Sequence, residues 1–172
     1  TDATRKLYGM DEKATARFGA NCLMARRLVE HGVRFVEVYC GSGSGWDAHS
    51  QLEDNHTKYC KASDRPIAGL LQDLEARGLL EDTLVVWGGE FGRTPVAQAG
   101  DGRDHSPYGY TMWLAGGGVK GGMVYGATDE FGRRSVENVT NVWEFYATVL
   151  HLLGYDFNRL TWYHNGFDRK LT

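Results

Sequence analysis

The stretch TLVVWGGEFGRTP, Thr83 to Pro95, carries the strand signal from which a fold can be built outward. Its opening half is β-branched and apolar, suitable for a buried strand, and it stops abruptly at Gly88, Gly89 and a carboxylate, Glu90. Upstream, a helix is predicted from about the Gln51–His56 region to Arg77. Leu70, Leu71 and Leu74 face inward, Pro66 breaks or shifts the helix, and Gly78 closes it. Before it, VRFVEVYC at 33–40 alternates with β-branched and aromatic residues and reads as a strand, followed by the glycine-rich loop GSGSGWDAHSQ. Asp11 to His31 places Phe18, Cys22, Ala25 and Val29 on one helical face, with Gly32 as the stop.

Downstream, YTMWLAGGG at 110–118 reads as a third strand and GGMVYG as a short edge strand. NVWEFYATVLHLLG reads as a closing amphipathic helix ending at Gly154, and the tail from Tyr155 shows no clear period. Helices alternating with strands in this order predict a single α/β domain over 1–172, with a mostly parallel central sheet flanked by helices. In such sheets, sites lie beyond the carboxyl ends of the strands, which here selects the loops after Cys40, Trp87 and Ala115.

Composition narrows the partners. With 42% hydrophobic and 24% charged residues, the chain of 172 residues has an ordinary globular balance. Its 23 glycines are well above the usual share and imply several tight loops, the kind of segment that carries sites. A net charge of -3 lacks the basic field of a nucleic-acid binder, and no apolar run is long enough to span a membrane. The three cysteines, Cys22, Cys40 and Cys60, have no CxxC spacing and suggest neither a disulfide framework nor a zinc knuckle.

The chemistry gathers in three loops. In WDAHSQ, an extended backbone would point Asp47 and His49 the same way, giving a plausible metal chelate; the alternative is a solvated aspartate beside a locally packed histidine. Carboxylate oxygen with imidazole nitrogen suits zinc, manganese or iron better than calcium, and calcium or magnesium stay open. His56 is a weak further candidate. Glu90 at a strand end needs compensation, from a metal or from Arg93. In GRDHSPYG, His105 is a candidate ligand and Asp104 a candidate to orient it, while Arg103 is a cation nearby. Three such clusters after three predicted strands point to one shared site of Asp47, His49, Glu90 and His105.

LLQDLEARGLLEDTLVVWGGEFGRTP, GRDHSPYGYTMWLAGGGVKGGMVYGATDEFG and VTNVWEFYATVLHLLGYDFNRLTWYHNG resemble the C-terminal part of a family of exported bacterial sulfatase-like proteins of unknown function. That family is similar to the alkaline-phosphatase-like superfamily. The resemblance implies an exported or periplasmic protein with one or two metals at the carboxyl edge of an α/β sheet. It casts Asp47, His49, Glu90 and His105 as ligands and implies metal-assisted hydrolysis of a small-molecule phosphate or sulfate ester. Arg93 or Arg103 would neutralise nonbridging oxygens. Glu90-Phe91 stands where the superfamily has Asp-His, and the superfamily's nucleophile lies on an N-terminal segment. By this resemblance the chain is a C-terminal fragment, inactive or nearly so alone. The alternative is a non-catalytic module of an exported protein that binds a metal, an anion or a carbohydrate.

Overall fold

The computed structural model describes residues 1–41 and 43–170; Ser42 of the glycine-rich loop and the final two residues lie outside the described residues. The chain divides into two compact units, the first Thr1–Leu80 with Arg93–His105 and the second Glu81–Gly92 with Ser106–Thr172.

Three helices build most of the first unit. The short α1 (Asp2–Leu7) is capped by Thr1, whose side chain accepts from the Thr4 N–H at 3.2 Å. The α2 helix spans Ala16–Glu30 and α3 spans Leu52–Ala76. These two pack on each other, and α1 also packs on α3. The chain turning out of α1 lies close against both. A Cβ on Gly19 would sit 2.1 Å from the Tyr8 carbonyl oxygen, and one on Gly69 would sit 2.4 Å from that of Leu7. Only glycine permits such an approach. Tyr8 is thereby fully buried with Cys22 and Leu23, and Leu7, Met10, Phe18 and Leu70 pack around them. Each such burial contributes about 1.5–3 kcal/mol.

A polar network closes this core. The Asp73 carboxylate accepts from Tyr8 Oη, Arg26 Nε and Arg77 Nε, each at 2.8 Å. Arg26 is only 4% exposed and also pairs with Glu30. Both oxygens of Asp73 are therefore satisfied, as burial of a charge requires. Burial alone pushes the Asp73 carboxyl up, but the bonds from Arg77 and Tyr8 and the Arg26 charge outweigh it and hold it below its usual range.

Pro66 lies inside α3 without ending it, so the expected break is corrected to one continuous helix. The ring is fully buried, and α3 packs against both α2 and α1, tertiary contacts that offset the missing N–H. The first unit also contains most of a hairpin formed by β2 (Gly92–Gln98) and β3 (Gly102–Ser106). Its three-residue connection, with Ala99 and Gly100 at positive φ, admits only antiparallel pairing.

The second unit is built from strand pairs and one helix. The strand β1 (Val85–Trp87) pairs antiparallel with β4 (Trp113–Ala115), and Trp87 stacks on Trp113 with ring centroids 6.1 Å apart. A bulged pair joins β5 (Ala127–Thr128) to β6 (Ser135–Glu137). The helix α4 (Val142–Leu152) starts at a capping box between Asn141 and Glu144. The strands β7 (Thr161–His164) and β8 (Phe167–Lys170) form a hairpin across Asn165-Gly166, both at positive φ.

The expected mostly parallel α/β sheet is overturned. The described residues form four separate two-stranded sheets, and the β1–β4, β5–β6 and β7–β8 pairs are all antiparallel. Residues 33–40, expected as a strand, pair with nothing in a ladder, and Phe35 is 81% exposed there. Strand-like composition describes side chains that suit a pleated, half-buried surface, and it forms a strand only where another backbone completes the ladder. Helices α2 and α3 cover each other, so the layering that buries a parallel sheet is not built. The third strand is limited to Trp113–Ala115, and GGMVYG is not a strand.

Candidate metal centre

The site lies wholly within the first unit, where the loop leading into α3 docks along β3. Arg103 N–H donates to the Ala48 carbonyl at 3.0 Å, and Gln51 N–H to the Asp101 carboxylate at 2.9 Å. A Cβ on Gly102 would lie 1.9 Å from the His49 carbonyl oxygen, so glycine is required for this contact. The other end of the loop is held by Trp46, whose Nε1 donates to the Cys40 carbonyl at 2.8 Å, and by Asn55, which donates to the Gly45 carbonyl at 2.9 Å. Ala48 is buried, which sends its neighbours Asp47 and His49 outward together.

Asp47 Oδ1 is the centre of the group. His49 Nε2 and His105 Nε2 each lie 3.0 Å from it, and Arg93 also donates to it. The two imidazoles are neighbours, with centroids 4.9 Å apart. One ligand atom each from Asp47, His49 and His105 fits within 4.8 Å, a group that can hold a metal ion. Ligands about 2.0–2.2 Å from a tetrahedral ion are roughly 3.3–3.6 Å apart, so the observed 3.0 Å nitrogen-to-oxygen separations need open only by a few tenths of an ångström to admit one.

The protonation pattern also fits a cation. His49 Nδ1 lies 2.5 Å from Gln98 Oε1; with that oxygen as acceptor, Nδ1 carries the proton and the Nε2 lone pair faces the centre. With that tautomer the His49 Nε2 lone pair and the Asp47 oxygen face each other at 3.0 Å with no proton between them, a contact that a cation would bridge. The hydrogen bond from Arg93 and then that from His105 hold the Asp47 carboxyl down to about 2, against the opposing effect of burial. Asp47 is thus an anion throughout the neutral range. The histidine side chains are 42% and 43% exposed, so the group is open to solvent rather than sealed like a structural zinc site.

The remaining candidates are placed as follows. Arg93 stands at the centre, whereas Arg103 Nη1 donates to the Gly102 carbonyl at 2.8 Å. The Asp104 carboxylate accepts from the backbone N–H of His105 at 2.8 Å, so it shapes the backbone at this ligand. His56 sits beside Trp46, with ring centroids 5.7 Å apart, and is not in the group. Glu90 is exposed in the second unit and is not one of the three grouped residues. Gln98 escaped the sequence reading because it meets His49 across 49 residues and belongs to no motif.

Fold and site together define an α+β protein with a solvent-open Asp-His-His group that could hold a metal ion. The chain belongs to the family described as protein of unknown function (DUF1501), whose model matches residues 1–172. No match is found among curated proteins or among solved structures. The family match is to neither a sulfatase nor an alkaline-phosphatase-like family, and the fold has no large parallel sheet, so the resemblance to that superfamily is corrected.

Proposed function

We propose that Asp47, His49 and His105 hold one divalent ion, zinc or manganese, and that the centre hydrolyses a small anionic ester of phosphate or sulfate. The observation that carries this reading is the convergence of both imidazole Nε2 atoms on one carboxylate oxygen. When bound, such an ion supplies Lewis acidity and makes its water acidic near neutral pH. Three protein ligands leave a coordination position open, the pattern of catalytic rather than structural sites.

The chain's own residues supply the rest. Asp47, already ionised, contributes the negative charge of the ligand set. Gln98 fixes the His49 ring so that Nε2 faces the centre. Arg93 places a positive charge beside Asp47, where it attracts an anionic ester and offsets charge that builds on nonbridging oxygens. Arg103 holds the loop to β3 through its own backbone N–H, which donates to the Ala48 carbonyl, while its side chain donates to the Gly102 carbonyl.

Exposure of both histidines favours a second reading, a centre that binds metal and an anion without turnover, since water is not excluded from the charged groups. Aryl phosphate and aryl sulfate esters separate the two. The hydrolase reading expects release of the aryl alcohol that depends on zinc or manganese and is lost in His105→Ala. Stoichiometric metal without any such turnover supports the binding module.

A further inference from the structure

Four side chains meet at the centre, and one of them cannot be a ligand. Asp47, His49 and His105 offer lone pairs to a metal ion, whereas the Arg93 guanidinium carries only donors and keeps its charge at any ordinary pH. Yet Arg93 Nη1 donates to Asp47 Oδ1, the same oxygen that His49 Nε2 and His105 Nε2 approach to 3.0 Å. In this arrangement Arg93 is the cation of the site.

A guanidinium and a divalent ion on one carboxylate oxygen are like charges at contact range. The Arg93 and Asp47 side chains are only 23% and 28% exposed, so solvent screens that repulsion only in part. The ligands are held in place, His49 by its bond to Gln98 and Asp47 by the buried Ala48 beside it. Arg93 differs, because its charge sits at the end of a long unbranched stem. Its backbone is fixed nonetheless: the Asp104 N–H donates to Thr94 Oγ1 at 3.1 Å, which ties β2 to β3 beside His105. The guanidinium is therefore the member that can shift, and its anchor keeps it near the centre when it does.

We infer that Arg93 is an internal competitor for the metal position, which gives up Asp47 when a divalent ion binds there and then pairs with a tetrahedral oxyanion. The inference rests on the metal-binding part of the proposed function, not on turnover, and adds a coupling to it. With Arg93 on Asp47, the charge that would hold an anion is already balanced. Once released, its fork of N–H groups matches the oxygens of a sulfate or phosphate group. The anion in turn neutralises the repulsion between guanidinium and ion. Metal and anion therefore bind cooperatively, each raising the affinity of the other by the same factor.

The test is calorimetric titration of the whole chain with zinc, in chloride and in sulfate at matched ionic strength, for the wild type and Arg93→Gln. Arg93→Met, which keeps the stem without the charge, repeats the comparison, and circular dichroism checks that each variant is folded. Without sulfate, both variants are expected to bind zinc about 5-fold or more tighter than the wild type, and sulfate is expected to tighten zinc binding by a similar factor in the wild type alone. Zinc binding in the variants that is equal to or weaker than wild type overturns the competition. A sulfate effect that persists in the variants, or is missing from the wild type, overturns the release. Failure of the metal reading looks different: zinc then binds neither wild type nor variant in either salt, and the inference falls with it.

Discussion

His105 Nε2 lies 3.0 Å from Asp47 Oδ1, although the two residues are 58 apart in the chain. A strand and a loop are brought together to make this contact, and every feature that aligns them is open to test.

Gln98 is the residue whose loss separates orientation from ligation. Gln98→Leu removes the acceptor at His49 Nδ1 without touching the three ligand atoms. Metal affinity is expected to fall by about 10-fold or more, as for other partners of ligating histidines. Isothermal titration with zinc measures it, and an unchanged melting temperature without metal shows that the fold is intact. In the same assay, Glu90→Ala is expected to leave affinity close to wild type, whereas a loss as large as that of a ligand would enlarge the set.

Gly102→Ala places a methyl group where the His49 carbonyl oxygen now lies, 1.9 Å from the added carbon. Backbone must move on one side or the other, at a cost of about 1–3 kcal/mol. Zinc affinity is expected to drop along with thermal stability, because the loop carrying Asp47 and His49 loses its register on β3. Retained affinity in Gly102→Ala would show that the loop is not positioned by this contact.

The Asp73 network sets the acid limit of stability. Its folded carboxyl lies below the unfolded value of about 3.9, so its contribution is fully present above that pH and is lost as pH falls through the folded value. Urea denaturation between pH 6 and 3 is expected to show stability falling at the acid end. Asp73→Ala leaves Arg26 buried without this partner and is expected to cost about 3–5 kcal/mol. At the alkaline end the sign reverses. Burial, then the Asp73 hydrogen bond, raise the Tyr8 hydroxyl, and burial raises the Cys22 thiol to about 12. Both favour the protonated form when folded, so stability falls above the unfolded values of about 8.5 for the thiol and about 10 for the phenol.

Asn141→Ala tests the capping box of α4. It removes the acceptor for the N–H groups of Trp143 and Glu144, at 2.9 and 3.0 Å, and is expected to cost about 1 kcal/mol. Thermal melting and helicity by circular dichroism report it together.

Part of the site was legible because its logic is local. The spacing of Asp47 and His49 fixes their common direction wherever the backbone is extended, and the buried Ala48 between them confirms that alternation. Helices α2, α3 and α4 were also legible from apolar periodicity and their end signals. Sheet pairing was not, because Val85–Trp87 is equally apolar whether its neighbour runs parallel or antiparallel, and the partner at Trp113–Ala115 lies far along the chain. The hairpin at Thr161–Lys170 carried a readable Asn165-Gly166 turn signal that was obscured by its irregular polarity. Residues 33–40 mislead in the opposite sense, since their strand-like composition finds no ladder partner.

The most direct measurement is metal content by mass spectrometry of protein purified without chelator, alongside Asp47→Ala and His105→Ala. Close to one zinc or manganese ion per wild-type chain, lost in both variants while their folds persist, is the expected result. Absence of stoichiometric metal even after reconstitution, or occupancy indifferent to both substitutions, would contradict the assignment of Asp47, His49 and His105 as its ligands.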